Sequence, residues 1–158
     1  MKKILVYLLF IISYLLLPTF VYAEYVLPYP SFMPGNKIYA ITRIVDKLKN
    51  YWYFGEIAQQ KYHLGLGDKY LVEAKTLFEY KQYLLAADAL SRSDKEFSLL
   101  QKTPLAVEAA KKHVEVLESL KSTTPQEFTW SPEKVAASTL HLGSMIQSSI
   151  TIRERLWQ

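Results

Sequence analysis

"KYHLGLGDKYLVEAKTLFEYKQYLLAADAL", Lys61 to Leu90, is the stretch whose period decides the fold. Leu64, Gly67, Leu71, Ala74 and Phe78 recur at steps of three and four residues, thickened by Tyr70 and Leu77. That spacing makes one apolar face on an α-helix, whereas a strand would alternate. Tyr80 to Gln82 reads as a tight connection. The helical period then resumes through Tyr83, Ala87, Leu90, Phe97 and Leu100, which predicts another helix over 82–101. No proline falls between Pro34 and Pro104, so nothing in this span breaks a helix.

Upstream, Asn36 is a plausible N-cap, and Ile38, Ile41, Ile44, Val45 and Leu48 follow at helical spacing. A helix over Lys37 to Asn50 is expected. It ends at the aromatic run Tyr51-Trp52-Tyr53-Phe54 and Gly55, and the next helix starts near Glu56. Downstream, Thr103 and Pro104 form a cap and first-turn proline. They open a helix with Ala106, Ala110, His113, Leu117 and Leu120 on one face and Lys111 placed to pair with Glu115. "KSTTPQEFTWS", Lys121 to Ser131, reads as loop, with Thr124, Pro125 and Glu127 at a spacing that could cap one helical turn. Ser131 and Pro132 cap a last helix carrying Val135, Thr139, Leu142, Ile146, Ser149 and Leu156. No stretch shows sustained alternation bounded by hairpin turn signals, and no fixed-period repeat is visible. The expectation is an all-α fold, about five helices in an up-and-down or TPR-like array over 36–158.

The N-terminus sets the compartment. Lys2 and Lys3 precede the apolar run "ILVYLLFIISYLLL", then Pro18, then Val21 and Ala23 at the −3 and −1 positions of a peptidase site. This is the grammar of a secretory signal peptide over 1–23, cut between Ala23 and Glu24. The alternative is an uncleaved membrane anchor, since Ile4 to Ala23 is long enough to span a bilayer. Either way the remaining chain is expected outside the cytoplasm. Residues 24–35, "EYVLPYPSFMPG", carry three prolines and read as an extended lead-in.

Composition excludes several chemistries. The chain has no cysteine, so disulfides, thiolate metal sites, cysteine nucleophiles and a lipoprotein anchor all fall away. Without Lys2 and Lys3 the balance is 17 basic against 15 acidic residues, interleaved along the sequence. Nucleic-acid binding needs a basic stripe and is not expected. A single domain of this size can be held by its apolar core.

Three stretches carry a family likeness: "YVLPYPSFMPGNKIYAITRIVDKLKNYW" from Tyr25, the Lys61–Leu90 stretch, and "AAKKHVEVLESL" from Ala109. Together they resemble a family of secreted bacterial helical domains catalogued as domain of unknown function five-six-six-seven. The resemblance implies an exported α-helical domain and brings no catalytic residues. Tyr70 stands where the family pattern commonly has a basic residue, and the aromatic run is richer than that pattern.

Candidate chemistry is sparse. His63, His113 and His141 are the three histidines, and Gly67, Leu117 and Met145 occupy their i+4 positions, so no helical metal pair forms. His113, on an apolar face, reads as a hydrogen-bonded core histidine. "GLGD", Gly65 to Asp68, lacks the strand and further glycines of a phosphate loop, and both glycines read as close-packing points between helices. Asp68, Glu73, Glu115 and Glu118 read as solvated acids on exposed faces. Ser98, Ser144 and Ser148 have no nucleophile-elbow sequence around them. Neither an enzyme, a metal nor a cofactor is expected.

The aromatics stand out, with 12 tyrosines in the chain. Either two rings of Tyr51–Phe54 face inward at a helix corner, or at least two stay exposed as a contact platform with Tyr29 or Phe32. The candidate interaction surface is Tyr29, Tyr51, Trp52 and Tyr53. The functional expectation is an exported, non-enzymatic interaction module acting on a protein or another component of the cell envelope, with membrane contact confined to an uncleaved N-terminal segment. The alternatives are a chaperone-like or stress-sensing helical protein and, behind it, a hydrolase.

Overall fold

The computed structural model describes residues 24–30, 32–132 and 136–158. The signal or anchor segment expected over 1–23 lies outside the described residues, as does Val135. The described residues form five helices in order, α1 (Lys37–Asn50), α2 (Glu56–Glu79), α3 (Tyr83–Ser98), α4 (Pro104–Thr123) and α5 (Leu142–Glu154), with strands β1 (Phe128–Trp130) and β2 (Ser138–Leu140) between α4 and α5. The all-α expectation holds, with one small β addition.

The local signals act where the sequence places them. Asn36 Oδ1 accepts from the Ile38 amide at 3.0 Å, and Thr103 Oγ1 accepts from the Ala106 amide at 3.2 Å with Pro104 in the first turn. Each cap contributes about 1 kcal/mol. Between α2 and α3, Lys81 takes a left-handed conformation, φ 58°, which reverses the chain in a few residues. Gly55 does the same between α1 and α2 with φ 88°, a conformation that glycine adopts without strain.

Helices α2 and α3 pack along each other, and α4 and α5 close over them. Two apolar clusters result. One joins Leu71, Leu77, Leu90, Leu117, Leu142 and Ile146 from the four helices; the other joins Leu64, Phe97, Leu100, Ala110 and Leu156. Every residue of the Leu64–Phe78 stripe is buried, as expected. Gly67 is a close-packing point, because a Cβ there would sit 3.2 Å from Phe97 Cδ2. Gly65 is not, since a Cβ would meet nothing within 4 Å.

Between the clusters lies a polar layer. Asp68 of α2, Ser93 of α3, His113 of α4, and Ser149 and Arg153 of α5 are all buried. The expectation that Asp68 and Glu73 sit on solvated faces is therefore corrected, Glu73 being fully buried too. The lead-in is extended and docks on the body: Glu24 pairs with Lys112 at 3.0 Å, the Tyr25 hydroxyl donates to Asp68 Oδ2 at 2.5 Å, and Leu27 and Met33 pack on the first cluster.

The region after α4 departs from the sequence reading. Helix α4 runs on to Thr123. Instead of a capped turn, Phe128–Trp130 pairs antiparallel with Ser138–Leu140, Thr129 opposite Thr139. The last helix begins at Leu142, not after Pro132, and Thr139 lies in β2. Aromatic and β-branched residues favour the extended form here. Phe128 is drawn down against Tyr83, ring centroids 5.0 Å apart. Lys112, and not Lys111, pairs with Glu115.

Candidate functional site

Helix α1 faces the opposite way from an ordinary surface helix. Ile38, Ile41, Ile44, Val45 and Leu48 are all exposed, Ile41 by 60% and Ile44 by 59%. The buried residues of α1 are Tyr39 and Asp46. At 3.6 residues per turn these two lie opposite the aliphatic row. The row was read correctly as one helical face, but it is turned to solvent.

Polar contacts explain the inversion. The Tyr39 hydroxyl donates to Glu73 Oε2 at 2.9 Å and accepts from Arg92 Nη1 at 2.9 Å. Asp46 pairs with Lys69 of α2, and its carbonyl accepts from the Tyr62 hydroxyl at 2.6 Å. Burial and the adjoining Glu73 carboxylate push the Tyr39 hydroxyl pKa well up. Burial raises the Glu73 pKa, opposed by the Tyr39 hydroxyl and by Lys69 and Arg92. Tyr70 beneath them is pushed up to about 12 by burial and then by the charges of Asp46, Glu96 and Glu73. Helix α1 is thus fastened by hydrogen bonds and charge, with its aliphatic side chains left over.

The aromatic run continues that outer face. Tyr51 and Trp52 are each 75% exposed, and Phe54 is exposed as well. Of the four rings, Tyr53 is the one that packs, 5.2 Å from Tyr62. The expectation of two inward rings is corrected accordingly. The backbone of the corner is held by Gln59, whose amide donates to Asn50 O at 3.2 Å and Tyr53 O at 2.6 Å. Tyr29, 96% exposed, does not join this platform. Its neighbours Leu27 and Met33 pack in the cluster with Phe78, at the other end of α2 from Gly55.

The three histidines are all paired with carboxylates. His63 meets Glu96 at 2.8 Å and His141 meets Glu127 at 3.0 Å near the surface. His113 is fully buried, its Nε2 2.7 Å from Asp68 Oδ1 and its Nδ1 3.1 Å from Arg153 Nε. Arg153 Nε can only donate, so Nδ1 accepts and the proton sits on Nε2, pointing at Asp68. Burial lowers the His113 pKa and keeps the ring neutral. With both nitrogens engaged the ring has no lone pair free for base catalysis, and the core-histidine reading stands. Sequence inspection missed Arg153, although it falls in phase with Leu142, Ile146, Ser149 and Leu156.

Among the described residues, no group of three or more His, Asp or Glu is placed to hold a metal ion, and no helix is long and apolar enough to cross a membrane. An apolar cleft of about 350 Å³ opens beside the aromatic corner, lined by Ile57, Leu64, Leu100 and Leu105.

The chain belongs to the family described as domain of unknown function (DUF5667), which matches residues 31–127, from the lead-in to the approach to β1. No curated protein and no solved structure matches the chain.

Proposed function

We propose that this is an exported helical domain that works by contact at the cell envelope rather than by catalysis, with the outer face of α1 and the rings of Tyr51, Trp52 and Phe54 as its contact surface. The inverted burial of α1 carries this reading. Five aliphatic side chains in register on one exposed helix, continued by aromatics, exceed the scattered apolar residues of an ordinary surface. Export rests on the N-terminal sequence grammar. The test is co-sedimentation of the full chain with isolated envelope material, comparing the parent with the double variant Ile41→Ser and Ile44→Ser. Reduced association at unchanged melting temperature is expected, and undiminished association would remove α1 from the contact surface.

The cleft beside Ile57 favours a second reading, a chaperone-like protein holding unfolded exported chains. That reading expects unfolded proteins of unrelated sequence to compete for Leu105, with envelope material inert.

A further inference from the structure

We infer that the partner of the α1 face is an anionic lipid surface, on which α1 lies flat. The inference rests on α1 being the contact surface, and it identifies what α1 contacts.

Shape argues first. Helix α1 is attached along one side, so its outer face is a ridge, whereas capture of a peptide segment uses a groove. At 14 residues, about 21 Å, α1 is too short to span a bilayer but suited to lying in its interface.

Charge argues next. Helix α1 carries Lys37, Arg43, Lys47 and Lys49 against one acid, Asp46, which is buried, paired with Lys69 and approached at 3.9 Å by the half-exposed Lys49. By helical geometry Lys47 and Lys49 fall on the two borders of the aliphatic row, where their stems can follow the apolar surface and their ammonium groups can reach headgroups. Tyr51 and Trp52 stand at the end of the row, and such rings favour the headgroup level. A second copy fits less well, because a two-fold pairing of α1 faces would bring the lysine borders together with no exposed acid of α1 to answer them. Because the polar side of α1 is already satisfied by Glu73, Arg92 and Lys69, the helix can meet a membrane without rearranging.

The absence of cysteine gives a direct test on the full chain. A fluorescent label is placed at Ile44→Cys, with a control label at Ser122→Cys, an exposed position on α4. Quenching by aqueous iodide is measured with vesicles of phosphatidylcholine alone and with added phosphatidylglycerol. Shielding of the label at position 44 by anionic vesicles, with position 122 open, is expected. Replacing Lys47 by Gln should raise the anionic lipid needed for half-shielding, since one lysine near such a surface is worth about a fivefold change in binding. An open label at 44 on anionic vesicles overturns the inference. If that label is nevertheless shielded by isolated envelope material, the contact surface stands with another partner; if it stays open on both, the contact surface falls too. Shielding without vesicles overturns the inference in either form: when it grows with protein concentration it assigns the face to a second copy, and when it persists on dilution, to residues 4–23 of the same chain.

Discussion

Arg153 carries a charge into the middle of the bundle, and every polar atom it meets is placed for it. Nη1 donates to Asp94 Oδ1 at 2.6 Å, Nη2 to Ser93 Oγ at 2.8 Å and Nε to His113, while the Phe97 ring lies 4.9 Å from the guanidinium carbon. Removing one member of such a set leaves the others desolvated and unanswered. Arg153→Met should therefore cost about 3–5 kcal/mol of stability in urea unfolding. His113 makes the same layer acid-sensitive. Its folded-state pKa lies below the ordinary value of about 6.5, so the unfolded chain takes up a proton first as pH falls. Stability is full above about pH 6.5 and is lost below it, by at most about 1.4 kcal/mol per pH unit. Urea unfolding between pH 7.5 and 5.5, with the His113 ring followed by NMR, checks this; a ring titrating at the ordinary value would contradict it. Glu73 acts with the opposite sign. Its raised pKa means that stability present below about 4.5 is lost as pH rises through its folded value. Its Oε1 has no hydrogen-bond partner. Glu73→Gln should thus gain on the parent as pH rises, read from the same unfolding curves.

At the scale of elements, α1 differs from the four helices that share the core. With Tyr39 and Asp46 as its buried residues, it has little apolar burial to hold it closed. Native-state amide exchange should show Ile41 to Lys49 opening at a lower free energy than Leu64 to Leu77; equal protection would mean that the polar contacts alone lock α1 to the body. The corner after it is equally testable. Trp52 is exposed, so Trp52→Ala should move stability by no more than about 0.5 kcal/mol, and a clear drop in melting temperature would make the ring a packing residue after all. The helix boundaries were legible because caps and prolines act locally: Asn36, Thr103 and Pro104 need no tertiary partner to stop a chain. The direction of α1 was not legible. Periodicity marks which residues share a face, but burial is decided by the neighbour, and here Glu73, Lys69 and Arg92 outcompete five aliphatic side chains. The hairpin was hidden for another reason. Strands of three residues show no alternation to read, and Phe128 is extended because Tyr83 waits beneath it.

The whole molecule is organised as apolar, polar, apolar along the bundle axis. Asp68 lies between Leu64 and Leu71, Ser93 between Leu90 and Phe97, His113 between Ala110 and Leu117, and Arg153 between Ile150 and Leu156, so each of α2 to α5 places a polar residue at the same level. Apolar stripes alone leave helices free to slide by a turn; a hydrogen-bonded layer penalises each slip by burying unpaired groups. A sequence scan for apolar period passes over this layer, because each member looks like an interruption of its stripe. Like α2, α3 and α4, the C-terminal segment formed by α5 and the residues after it contributes to both clusters through this layer. Leu142, Ile146 and Ile150 enter the first cluster and Leu156 the second. At about 1.5–3 kcal/mol for each fully buried side chain, these four match the 5–15 kcal/mol by which a typical domain is stable. A chain ending at His141 keeps the hairpin and the other four helices but loses those side chains and Arg153. It should retain helical circular dichroism, bind a hydrophobic dye and lose its cooperative unfolding transition. Adding a peptide of residues 142–158 should restore cooperativity in the parent truncation and fail to do so when the peptide carries Arg153→Met. A truncated chain that unfolds cooperatively at the parent midpoint would show that α2, α3 and α4 hold their register without the polar layer.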